Sequence, residues 1–340
     1  MFTRILVPLD GSDRAEEAIP VAARIARASN STVVLVQVSP IPFNFQAEQK
    51  KLAEIYSDNA IEEGKALAAN YLDTVSRMAE LVGVKTETQI EFGGVAPSIL
   101  AAIEQLGIDL IVMRSHGYSG FKRWALGSIA QKIISHSTVP VLVLRDSGPS
   151  LSAKSVYALV SLDGSPLAES VLAPVTQLLA ALAPSADKTL HLVRVVDLPV
   201  TYGKSPLNAH FDQMREDTKR EAHKYLATIA HQLTEGEDTV PDLTITTSIT
   251  VNPDVAEALI QMADQELHTG GRFDLIAMAT HGRGGLQRWT MGSVTERVLH
   301  ATRLPMLVVH SARQSKQTQE SKEQVEATVS PARKEEENDV

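Results

Sequence analysis

Apolar residues along the chain fall into short runs separated by longer segments of helical periodicity. The first half carries "RILVPL" (4–9), "TVVLVQV" (32–38), "VKTETQIEF" (84–92), "DLIVM" (109–113) and "VPVLVL" (139–144). Four of these are near-continuous Val/Ile/Leu runs, the signature of parallel strands buried on both faces. Helical patterns fill the gaps near 13–29, 47–82, 96–106 and 127–136. The second half repeats the series with "SVYALVSL" (155–162), "LHLVRVV" (190–196), "LTITTSITV" (243–251), "DLIAMA" (274–279) and "LPMLVV" (304–309). Strands alternating with helices imply right-handed crossovers and a parallel sheet covered on both sides. The pattern predicts an α/β chain of two tandem, doubly wound, five-stranded parallel-sheet domains.

The repeat is visible in the residues themselves. "ILVPLDGSDRAEEAI" from Ile5 aligns with "ALVSLDGSPLAESVL" from Ala158, which places Asp10 and Asp163 at equivalent positions, 153 apart. "SHGYSGFKRWALGS" (115–128) aligns with "THGRGGLQRWTMGS" (280–293) at an offset of 165. The second copy is therefore twelve residues longer, and its surplus falls in loop-like segments such as "LTEGEDTVPD". A repeat this long is a whole domain. The expected units are 1–146 and 154–311, joined by a linker at 147–153 within the Ser/Gly/Pro-rich "RDSGPSLSAK". Residues 312–340 hold few apolar residues and many charges of both signs, so they are expected to be a disordered tail.

Composition narrows the function. The net charge is −9, which argues against a general nucleic-acid partner. There is no cysteine, which removes disulfides, thiolate zinc ligands and thiol nucleophiles. The N-terminus enters a strand pattern at once, without a secretory leader. The longest apolar stretch, "VLAPVTQLLAALAP", is interrupted by Pro174 and Gln177 and is too short to cross a bilayer. The expectation is a cytoplasmic chain with no membrane partner.

In a doubly wound sheet, ligands bind beyond the carboxyl ends of the strands, near the reversal of strand order. Two loops reach that edge in each half. The loop after the fourth strand carries Gly117 or Gly282, then Gly127-Ser128 or Gly292-Ser293 before a helical pattern. A helix N-terminus offers unpaired N–H groups and the positive end of a dipole, which attract phosphate. The serine can cap the helix or bind a phosphate oxygen; turn glycines with ordinary capping are the alternative. Two copies in the same context favour an anion site. Asp10 and Asp163 end the first strands, and "DGS" reads equally well as a base or ribose contact and as a turn before a helix.

With these residues in place, the chain resembles a tandem universal stress protein across both halves. The family's nucleotide motif is Gly, two residues, Gly, nine residues, Gly-Ser/Thr. Here the second Gly and the Gly-Ser match in both halves, while the first Gly is Arg114 in one and Ala279 in the other. The resemblance implies a Rossmann-like fold of the adenine nucleotide alpha hydrolase type that binds ATP or a related adenine nucleotide, with or without Mg²⁺. It places Asp10 and Asp163 by adenine or ribose, Val38 and Val195 against the base, and Gly117, Gly127, Ser128 and Gly282, Gly292, Ser293 on the phosphates. Ile129 and Val294 continue the helix start. Arg114 either fills the phosphate space or pairs with phosphate, whereas Ala279 adds only a methyl. The C-terminal site thus ranks above the N-terminal one.

No P-loop, "SGG-x-DS", "G-x-S-x-G" or "H-E-x-x-H" sequence occurs. His116 and His281 read as turn or packing residues, and Arg123-Trp124 and Arg288-Trp289 as loop packing. The expected role is a nucleotide-binding stress sensor or regulator without efficient hydrolysis. A scaffold with vestigial pockets and a slow ATPase are the alternatives. The fifth strands are apolar and end their domains; the resemblance implies that they pair with each other inside one chain, as a pseudo-dimer that leaves a homodimer possible but not required.

Overall fold

The computed structural model describes residues 1–39, 50–115, 126–145, 151, 155–198, 206–236, 239–265, 272–280 and 291–310, with backbone only for 50–60 and 206–211. The first half runs β1 (Arg4–Leu9), α1 (Asp13–Glu16), α2 (Ile19–Ser29), β2 (Thr32–Ser39), α3 (Lys50–Ser76), β3 (Lys85–Phe92), α4 (Val95–Gln105), β4 (Leu110–Arg114), α5 (Ser128–His136) and β5 (Val141–Leu144). The second half repeats it as β6 (Val156–Ser161), α6 (Pro166–Glu169), α7 (Leu172–Leu182), β7 (Lys188–Val196), α8 (Pro206–Glu235), β8 (Leu243–Val251), α9 (Val255–Asp264), β9 (Leu275–Ala279), α10 (Ser293–Ala301) and β10 (Met306–Val309).

Two elements depart from the sequence pattern. The helix expected over 13–29 is two helices, because Ser12 caps a single turn that closes at Glu17 before Ala18 starts α2. The helix expected over 47–82 ends at Ser76 and is followed by a 3-10 turn, Ala79–Leu81.

The two five-stranded units join through their fifth strands, as expected, into one ten-stranded sheet ordered β3-β2-β1-β4-β5-β10-β9-β6-β7-β8. Strands are parallel within each half, and β5 meets β10 antiparallel. Leu142 pairs with Leu307, and the flanking pairs are Val143 with Met306 and Val141 with Val308. Leu142 and Leu307 are equivalent residues of the two halves, so a pseudo-twofold axis passes between them. All six are buried, as they must be if strands without polar residues are to avoid open edges. Pro140 and Pro305 lie just before β5 and β10, where their carbonyls accept from Ile111 and Ile276 and their lack of N–H costs no ladder bond. The free edges fall to β3 and β8, "KTETQIEF" and "LTITTSITV", which are rich in polar residues and half exposed.

Each face of the sheet carries one apolar layer that runs through both halves. One contains residues of α2, α3, α7 and α8, such as Ala22, Leu72, Val175 and Leu226. The other contains residues of α4, α5, α9 and α10, such as Ile99, Ile133, Leu259 and Val298. Half-buried Asp109 ties the start of β4 to β1 by accepting from the Thr3 N–H at 2.7 Å and the Arg4 N–H at 3.1 Å, and Asp274 repeats this toward Tyr157 N–H at 2.9 Å. Burial pushes the Asp274 carboxyl up from its ordinary range. The amino ends of β1 and β4, and of β6 and β9, are thereby held side by side, and the parallel register carries this pairing toward the carboxyl ends. The expected tail at 312–340 and, apart from Leu151, the linker at 147–153 lie outside the described residues.

Candidate functional site

Each half brings two loops to the carboxyl end of the sheet. After β1, Asp10 accepts from the Ser12 N–H at 3.1 Å and the Ser12 hydroxyl at 2.6 Å. Ser12 in turn caps α1 by accepting from Ala15 N–H at 3.2 Å. After β6 the same arrangement joins Asp163 to Ser165, at 2.9 and 2.6 Å, and Ser165 to Ala168 N–H at 3.2 Å. The glycine between them is left-handed in both copies, with φ +82° at Gly11 and +85° at Gly164, a conformation that L side chains rarely adopt. The turn-and-cap reading of "DGS" is therefore realised twice. One carboxylate oxygen of each aspartate serves the turn.

After β4 and β9 the chain returns to start α5 and α10. Gly127 N–H donates to the Ser115 carbonyl at 2.9 Å and Gly292 N–H to the Thr280 carbonyl at 2.8 Å, which sets both helix starts against the end of the preceding strand. The capping residue is the glycine, with φ −62° and ψ 144° at Gly127 and φ −64° and ψ 145° at Gly292, and neither helix start has a side-chain cap. Ser128 and Ser293 are the first helical residues and both are exposed. They do not cap, which corrects one of the two roles open to them from sequence. Among the described residues no side chain caps these first turns, whose N–H groups present the positive end of the helix toward the strand ends.

The two copies differ in what surrounds these elements. Val38 and Val195 are both partly buried against the layer of α4 and α9. Ile129 is 43% exposed, whereas Val294 packs against the core. Buried Thr295 in α10 donates to the Ala279 carbonyl at 2.9 Å; its counterpart in α5 is Ala130. Before Val38 stands Gln37, whose buried Oε1 has no hydrogen-bond partner among the described residues. Before Val195 stands Arg194, whose guanidinium lies 5.2 Å from the ring centre of Tyr225.

Arg114 is engaged by groups of the protein itself. Its side chain is only 10% exposed and donates to Glu17, just past α1, at 2.7 Å and to the Arg145 carbonyl at 3.0 Å. Along β4, Leu110 and Val112 belong to the layer of α2 and α3, and Arg114 follows that alternation. It thus lies past the end of β4, on the α1 side of the sheet. Ala279 occupies the equivalent place in the second half and is buried.

One repeated contact was missed in reading the sequence. The Tyr71 hydroxyl of α3 donates to Glu16 at 2.9 Å, and the Tyr225 hydroxyl of α8 donates to Glu169 at 2.9 Å. Each pair pins the end of the short helix that follows the "DGS" turn. Burial, then the neighbouring carboxylate, pushes both phenols well above their ordinary value. Tyr71 and Tyr225 are 154 apart, close to the repeat offset, and that spacing was the available signal.

Gly117, Gly282, His116, His281, Arg123-Trp124 and Arg288-Trp289 lie outside the described residues. A cleft of about 720 Å³ lies elsewhere, between α2 and α7, lined by Arg24, Arg27, Ala183 and Asp187 among others. It is remote from the helix starts of α5 and α10, and it has no counterpart in the repeated motifs. Among the described residues no helix is long and apolar enough to cross a membrane.

Comparison with known proteins places the whole chain. The model of the universal stress protein family matches residues 1–145 and again 158–310. A universal stress protein of Mycolicibacterium smegmatis is 25% identical over 313 residues, covering 90% of this chain and 96% of that protein. One from Methanocaldococcus jannaschii is 33% identical over 145 residues, covering 43% of this chain and 83% of that protein. The crystal structure of a universal stress protein from Archaeoglobus fulgidus superposes with a TM-score of 0.60 at 20% identity, covering 91% of this chain and 98% of that one, a likeness of fold.

Proposed function

From the premise that this chain belongs to the universal stress protein family, we propose that it binds an adenine nucleotide, ATP foremost, and acts as a sensor or regulator in the stress response. The nucleotide spans the carboxyl ends of the strands in the C-terminal half. Asp163 turns its carboxylate toward the ribose or base, Val195 contacts the base, and the backbone at Gly282, Gly292, Ser293 and Val294 meets the phosphates. The observation that carries this reading is the start of α10. A glycine caps it, no side chain among the described residues caps its N–H groups, and a hydrogen bond from Gly292 to Thr280 fixes it beside the end of β9. A phosphate supplies the acceptors that such a helix start lacks.

The same parts recur around Asp10, Val38, Gly117, Gly127, Ser128 and Ile129, so the N-terminal half has the ancestral layout of a second site. Among the described residues no group of three His, Asp or Glu side chains is placed to hold a metal. A Mg²⁺ ion, where present, would therefore be carried mainly by the phosphates. Binding rather than turnover is the proposed task. The protein is proposed to work in the cytoplasm as a single chain.

The direct test is to denature freshly purified protein and identify the released small molecules by mass spectrometry. An adenine nucleotide in a fixed ratio to chain supports the reading. Protein that carries none, and takes up none when ATP is added at millimolar concentration, refutes it.

A further inference from the structure

Because β4 lies beside β1 in the sheet, a ligand that touches both Asp10 and the first turn of α5 has to pass over the end of β4. In the N-terminal half that passage carries the Arg114 side chain, held from one side by Glu17 at 2.7 Å and from the other by the Arg145 carbonyl at 3.0 Å. In the C-terminal half the same position is the methyl group of Ala279. The partners differ as well. At the repeat offsets, Glu17 corresponds to Ser170 and Arg145 to His310. Ser170 is neutral and turns inward, donating to the Leu167 carbonyl at 2.6 Å. The cation and its acid are thus present together in one half and absent together in the other.

We propose that the Glu17–Arg114 ion pair is an internal latch that closes the N-terminal nucleotide site, so that the chain binds one nucleotide, in its C-terminal half. This rests on the nucleotide-binding reading above. The latch acts in two ways. Closed, it puts a guanidinium with little solvent exposure where the ligand must cross. Opened, it leaves the Glu17 carboxylate, 56% exposed, close to the entering phosphates, and like charges repel. Charge-assisted hydrogen bonds are the stronger class, and Arg114 gives up two donor contacts when it swings out. Swinging Arg114 onto a phosphate therefore costs its contacts to Glu17 and the Arg145 carbonyl.

The test is calorimetric titration of ATP into the full chain and into two variants, with folding checked by circular dichroism and thermal melting. The unaltered chain is expected to bind one nucleotide. The double variant Glu17→Ser, Arg114→Ala copies the small side chains of the second half and is expected to bind two. Glu17→Gln changes an exposed side chain without changing its size. It is expected to raise the affinity of the N-terminal site by roughly five- to tenfold, the scale of a partly exposed ion pair. Two equal sites in the unaltered chain overturn the latch, as does a folded double variant that still binds one. If the double variant fails to fold, Glu17→Gln decides alone, and an N-terminal site no tighter than before overturns the proposal. Binding by none of the three chains refutes nucleotide binding itself, a result distinct from failure of the latch.

Discussion

Replacing Leu142 by Ala tests the seam between the halves at its centre. Leu142 and Leu307 face each other across the antiparallel β5–β10 pair, are both fully buried, and belong to the same apolar layer. Truncating a buried leucine removes its transfer energy and leaves a cavity, which costs about 2–5 kcal/mol. Here the neighbours are strands fixed by ladders on both sides, so collapse into the gap is limited and about 3 kcal/mol is expected. Leu307→Ala should cost a similar amount, since it stands at the equivalent point of the pseudo-twofold. The two side chains share one space, so the double variant should lose about 4–5 kcal/mol, less than the sum. Val251→Ala, on the outer strand β8 with the side chain 40% exposed, serves as the control and should lose no more than about 1 kcal/mol. Urea unfolding followed by circular dichroism measures all four. A loss below about 1 kcal/mol for Leu142→Ala, or strict additivity in the double variant, would show that the halves are not packed through these leucines.

The remaining expectations concern the repeated contacts. Both phenols are raised in the folded chain, so their contribution is fully present below the unfolded tyrosine value of about 10 and is lost as pH climbs through the folded one; Tyr71→Phe, Tyr225→Phe should flatten the fall in melting temperature above pH 10, and an unchanged fall would contradict the two pairs with glutamate. Burial lowers His191, whose ring nitrogens lie 2.7 Å from both the Thr246 and Ser248 hydroxyls, so its contribution is present above about pH 6.5 and lost as pH falls through its lowered value. His191→Gln should therefore reduce the stability lost between pH 7 and 4, which denaturant titration at the two pH values will show. Gly164→Ala forces a side chain into φ +85° and should cost about 1–2 kcal/mol by thermal melting, whereas a neutral result would mean that the "DGS" turn relaxes.

What could be read from the sequence follows from how local each cause is. Val/Ile/Leu runs bounded by turns located every strand to within about two residues. The "DGS" turns were legible because aspartate, glycine and serine each have a local role there. The break between α1 and α2 was not legible, since 13–29 keeps helical periodicity and the interruption comes from Ser12 closing one turn. Nor was the single ten-stranded sheet evident from the strands themselves. Apolarity of β5 and β10 says that an edge must be covered, and the coordinates say that each covers the other. The protein partners of Arg114 were not legible: strand alternation in β4 turns it to the α1 side, and its acid, Glu17, is remote in sequence. Contacts such as Tyr71 with Glu16 depend on how α3 crosses α1, which no spacing rule specifies.

The central claim is that the start of α10 receives the phosphates of a nucleotide. Ser293→Asp tests it most directly, because it puts a carboxylate on the first, exposed residue of that helix. A negative charge there suits the helix dipole, so folding stability should hold or rise by about 0.3–1 kcal/mol. The same charge competes with phosphate, so the affinity for ATP measured by calorimetry should fall at least tenfold, about 1.4 kcal/mol. A variant that is as stable as the unaltered chain and binds ATP equally well would contradict the account.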